Sequence, residues 1–184
     1  MKLLPLLLLS LAAIVVPARA ADLQNPATAS ILDIFHVLCD HQIVFVEGSR
    51  AQLIDPKHGA IIDTANGYID VSGDGAQMHY TLALFRKPDR SPIVALTAIY
   101  DIQANEKIHL YAFDSQGRPK EVTAQAWPLK IAPGGAKDTA PHFILPRYGR
   151  TITVLRQHMD TGAVSACLGR VAWVKDRFIV EPTP

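Results

Sequence analysis

The sequence has no excess charge of either sign, with 18 Lys and Arg against 17 Asp and Glu. Binding to nucleic acid needs a clustered positive field, so that partner class is excluded. Charged residues make up only 19% of the chain and apolar ones 49%, which is the composition of a packed domain rather than a disordered one. Beyond residue 20 no apolar run reaches the ~18 residues of a spanning helix, which argues against a membrane span. A Gly-x-Ser-x-Gly nucleophile elbow is missing too. Cysteine is nearly absent, Cys39 and Cys167 being the only two.

What is present begins with a segment that does not belong to the fold. Met1-Lys2 is a short basic start, Leu3 to Val16 is apolar apart from Pro5 and Ser10, and Ala18-Arg19-Ala20 supplies small residues for cleavage. This reads as a secretory leader, residues 1–20, cut before Ala21. No lipobox cysteine follows it, so a lipid anchor is not expected. The mature chain, 21–184, then carries 16 basic and 17 acidic residues and has the size of one domain. Its expected location is the periplasm or the medium. An oxidising compartment favours a disulfide, so Cys39 and Cys167 are expected to be bridged; two buried thiols are the competing reading. The loop closed would span most of the mature chain, worth about 4–5 kcal/mol by chain entropy.

Periodicity divides the chain into one helix and many strands. Ser30 followed by Asp33 marks a helix start, and Ile31, Ile34, Phe35 and Leu38 form a stripe at i, i+3, i+4 and i+7, so a helix ending near Asp40 is predicted. From Gln42 the period turns to two. Strands are predicted over 42–47, 60–62, 67–71, 77–86, 93–100, 107–113, 121–127, 142–145, 150–157, 163–174 and 178–181, with turn signals at Asn66-Gly67, Gly73-Asp74-Gly75, Pro88 to Ser91, Asp160-Thr161-Gly162 and Lys175-Asp176. In the run from Gln77 to Arg86 both faces are apolar, so this strand is expected to lie centrally and to be covered on both sides. The stretch from Trp127 to Gly135 could join two sheets of one domain. The fold class is therefore mainly β, an antiparallel meander forming a sandwich, open barrel or propeller-like domain, with one N-terminal helix.

Several constellations of chemically able residues are better explained by structure. His36, Cys39 and His41 resemble metal ligands, but His41 lies past the helix end and no second cluster exists. Asp70-Val71-Ser72-Gly73-Asp74-Gly75 opens like a calcium loop, yet its position 12 would be Thr81 and not a carboxylate. Asp160-Thr161-Gly162 matches an aspartic protease triplet without the apolar strand before it. No metal and no cofactor are expected. Serines such as Ser72, Ser91, Ser115 and Ser165 allow a Ser/His/Asp triad only on paper. The remaining odd feature is His79 with His109, both on predicted central strands, which would serve a hydrolase or a metal-dependent enzyme.

Without a catalytic signature, loops held on a rigid sheet become the expected functional elements. Asp114-Ser115-Gln116-Gly117-Arg118 presents a hydroxyl, an amide and a guanidinium on one turn, which makes Ser115, Gln116 and Arg118 candidate partner contacts. A leader, a β domain of this size and a Ser-bearing turn resemble the periplasmic immunity proteins that neutralise type VI secretion amidases by inserting a loop into the active site. The chain is similar also to periplasmic lysozyme inhibitors, although Ser72-Gly73 is followed by Tyr80 and not by a tyrosine three residues on. This resemblance implies a non-enzymatic protein whose partner is a peptidoglycan amidase or lysozyme. A structural envelope protein is the blander alternative.

Overall fold

The computed structural model describes residues 21–46, 48–72, 78–99, 106–131 and 138–182, so the leader and the turn at 73–75 lie outside the described residues. Helix α1 (Ile31–Asp40) starts at the expected cap. Ser30 Oγ accepts the Asp33 amide at 3.2 Å, and Asp33 accepts the Ser30 amide at 2.8 Å. Ile31, Ile34, Phe35 and Leu38 are fully buried, each contributing about 1.5–3 kcal/mol of transfer free energy.

Beyond α1 the expected strand is not formed over 42–46. Gln42 turns the chain with φ +58°, Ile43 and Val44 both donate their amides to the Leu38 carbonyl, and Phe45 is held at its amide and carbonyl by the Tyr80 hydroxyl. Val44 joins the core beneath α1, with Ile43 and Val46 packed against it and Phe45 exposed, while the backbone of this run closes the helix. A four-residue helix, α2 (Arg50–Leu53), follows, and Arg50 pairs with Asp40.

The first sheet is a six-stranded antiparallel meander in sequence order. It comprises β1 (Ile61–Asp63), β2 (Tyr68–Ser72), β3 (His79–Arg86), β4 (Pro92–Ile99), β5 (Lys107–Phe113) and β6 (Pro119–Glu121). The strand expected over 121–127 does not extend beyond Glu121. Thr123 Oγ1 takes the Leu110 amide at 2.8 Å, which ends the ladder, and the chain coils into α3 (Thr123–Ala126). The second sheet holds β7 (Thr139–Ile144), β8 (Thr151–His158), β9 (Val164–Val174) and β10 (Arg177–Val180), in the order β10-β9-β8-β7.

Strand β3 explains the layering. Tyr80 and Leu82 face α1, while Ala83 and Phe85 face Phe143, Ile152, Val171 and Trp173 of the second sheet. The strand is thus central and covered on both sides, as its two apolar faces require. The result is helix, sheet and sheet in three layers, with Trp173 Nε1 donating to the Arg86 carbonyl at 3.0 Å across the two sheets.

The same layering overturns the disulfide. Cys39 is buried between α1 and the first sheet, Cys167 is exposed on β9 of the second, and both are free thiols. The first sheet stands between them. Burial pushes the Cys39 thiol up to about 11, so it is an inert core group.

Candidate functional site

Polar side chains gather at one end of the face that the first sheet turns toward the second. Asp70 and Ser72 are two residues apart on β2, so they share a face, and the register places Ser72 opposite His79 and Asp70 opposite Thr81. His79 Nε2 lies 2.9 Å from Asp70 Oδ1, and Ser72 Oγ lies 3.1 Å from His79 Nδ1. Tyr68 donates to the second Asp70 oxygen at 3.1 Å, and Thr81 Oγ1 is 3.3 Å from His79 Nε2. The hydrogen bond from His79 holds the Asp70 carboxyl below its usual range, and the same bond raises His79 against the opposing effect of burial. Burial and the Asp70 charge push Tyr68 up to about 12.

Beside this line stands a second pair that spans the two sheets. Glu106, only 7% exposed, accepts from His142 Nδ1 at 2.6 Å and from the Phe143 amide at 3.0 Å, tying the start of β5 to β7. The bond to Glu106 raises His142, while His79 nearby acts to lower it. An open cleft of about 350 Å³ lies at this pair, walled by Ile99, Glu106, His142, Gln157, His158 and Asp160. Neither pairing was read from the sequence. Glu106 and His142 are 36 residues apart, and only the meeting of the two sheets joins them.

His79 and His109 do not cooperate. His109 pairs with Leu96, whose side chain packs toward α1, so it lies on the face opposite His79. There it contacts Glu121 at 2.9 Å and stacks on Tyr111. The three residues that resemble metal ligands in the sequence also separate. Cys39 is in the core, His36 packs edge-on against Phe35, and His41 pairs with Asp22. Among the described residues no group of three or more His, Cys, Asp or Glu could hold a metal ion. Asp160 and Gly162 form the β8–β9 turn, closed by the Gly162 amide on the His158 carbonyl at 2.8 Å.

Ser115, Gln116 and Arg118 come together on the β5–β6 turn. Asp114 Oδ1 accepts the amides of Gln116 and Arg118 at 2.9 and 3.0 Å, and its Oδ2 accepts from the Arg118 guanidinium at 2.9 Å. The Arg118 amide is also the main reason why the Asp114 carboxyl is held low. Arg118 therefore braces its own turn, and Ser115 and Gln116 are left exposed at the tip. No protein family model, curated protein or solved structure matches this chain.

Proposed function

We propose that the protein is a non-enzymatic binding protein that engages a partner protein through the β5–β6 turn, the partner being a cell-wall hydrolase. The observation behind this reading is that the turn is already ordered in the free chain. Asp114 fixes both amides, and Leu23 donates its amide to the Gly117 carbonyl at 3.1 Å, pinning the turn to the N-terminal segment. A turn held this way loses little conformational entropy on docking, and preorganisation of that kind favours affinity. Ser115 and Gln116 supply the free hydroxyl and amide that would enter a partner's cleft. The hydrolase as partner follows from the leader and from the resemblance in size and class. The test is isothermal titration with a wall hydrolase captured from periplasmic extract. Ser115→Trp is expected to weaken binding by several kcal/mol, since interface energy concentrates in a few side chains. Unchanged affinity would discard the turn.

One observation favours a second reading, a hydrolase acting by acyl transfer. The Ser72–His79–Asp70 line has the order of nucleophile, base and orienting carboxylate. Ser72 Oγ would attack an ester carbonyl as His79 Nδ1 takes the hydroxyl proton. That proton would pass to the leaving alcohol, and water would then release the acid from Ser72. A serine-directed phosphonate that labels the wild type at Ser72 and spares His79→Ala would establish this reading. A protein left unlabelled would remove it.

A further inference from the structure

A second cleft, used by neither reading, opens where the segment before α1, the β1–β2 turn, the end of β3 and the residue before β8 meet. Its volume is about 470 Å³, within the range of small-ligand sites. Two guanidinium groups line it, those of Arg86 and Arg150, and no carboxylate does. Trp173 fixes both backbones across the two sheets. Its amide donates to the Arg150 carbonyl at 2.8 Å and its indole N–H to the Arg86 carbonyl at 3.0 Å.

Arg86 is a half-buried cation without a counter-ion. Its Nη1 donates to the Pro26, Ala27 and Arg90 carbonyls at 3.4, 3.1 and 3.0 Å, and its Nη2 donates to the Ala29 carbonyl. Neutral oxygens satisfy those hydrogens and leave the charge uncompensated. Burial and the neighbouring Arg90 both act to lower Arg86, and no carboxylate offsets them. Its Nε–H has no partner among the described residues. Arg150 is exposed and forms no ion pair among the described residues. The acids next to the lining residues are already committed. Asp33 accepts from Ser30, Asp63 accepts from Asn66 and Arg147, and Asp89 accepts from Ser91 with Lys87 acting on it. Thr28 and Thr64, both exposed, add hydroxyls to the same cleft.

From this combination we infer that the cleft binds a phosphate group, held between the Arg86 and Arg150 side chains with Thr28 and Thr64 donating to its other oxygens. Arg150 offers its whole fork, and Arg86 offers its Nε–H and its charge. A guanidinium fork suits oxyanions because two of its N–H groups reach two oxygens at once. A tetrahedral dianion matches the site better than a planar carboxylate, since the donors come from four separate segments and carry two positive charges.

The test is a titration of the mature chain with inorganic phosphate at constant ionic strength, followed by NMR shifts of amide and guanidinium groups. Saturable shifts are expected at Thr28, Thr64 and the Arg150 side chain, with a Kd of about 1 mM or tighter. Chloride should not produce them, and acetate should bind several-fold more weakly. Arg150→Ala, a surface change, should weaken phosphate about tenfold, whereas Lys107→Ala, at the opposite end of the first sheet, should leave it unchanged. Equal shifts from chloride, equal affinity for acetate, or an Arg150→Ala variant that binds like the wild type would overturn the assignment. Glycerol phosphate binding as tightly as inorganic phosphate would make a phosphate ester the source, and its exclusion would make it free phosphate. Binding to phosphatidylglycerol vesicles but to neither soluble phosphate would overturn the assignment in favour of a membrane-surface contact.

Discussion

Gly117 has φ +78°, and a Cβ placed there would meet the Leu23 carbonyl oxygen at 2.0 Å. Gly117→Ala must therefore strain the left-handed backbone and displace the N-terminal segment. It is expected to lower stability by about 1–3 kcal/mol, seen as a drop in Tm, whereas exposed Ser115→Ala should stay within about 0.5 kcal/mol. The histidine pairs predict a pH dependence. His142 is raised by its bond to Glu106, and His79 by its bond to Asp70. A raised histidine contributes stability that is fully present below its unfolded value near 6.5 and is lost as pH rises through the folded value. Asp70, held low by His79, has the opposite sign: its contribution is present above its unfolded value of 3.8 and fades as pH falls through the lower folded one. Tm should therefore fall as the solution is taken from mild acid to alkaline pH, and His142→Gln should flatten that fall. A wild-type Tm that does not change across neutral pH would contradict the pairing. These partners were not legible in the sequence, because cross-strand register and sheet packing bring them together. The Ser30–Asp33 cap was legible because both of its partners lie within one stretch of four residues.

For whole elements, legibility followed how far the sequence pattern extends. The stripe of α1 and the two apolar faces of β3 each repeat over several residues, and both elements are found. Gln42 to Val46 and Val122 to Trp127 are apolar enough for strands, but in each a single group redirects the backbone: the Leu38 carbonyl takes two amides, and the Thr123 hydroxyl takes the Leu110 amide. No local pattern announces such bonds. The cap of α1 gives a prediction of its own. Ser30→Ala removes the acceptor for the Asp33 amide and is expected to cost about 1 kcal/mol. Leu38→Ala, opening a cavity between α1 and the first sheet, should cost about 2–5 kcal/mol. Urea unfolding of the two variants would measure both, and equal losses would contradict the layering.

Across the whole molecule, α1 is attached to the sheets by packing and not by a covalent bridge. Denatured, unreduced protein should therefore show two reactive thiols, and native protein only that of Cys167, because Cys39 is buried with its thiol pushed up to about 11. The described residues present a rigid turn and a histidine cleft. The turn carries the proposed function. Release of soluble fragments from purified peptidoglycan by a periplasmic extract, with and without the added mature protein, tests that claim most directly. The wild type and His79→Ala should both slow the release, and Ser115→Trp should not. Release unaffected by the wild type, or slowed equally by Ser115→Trp, would contradict it.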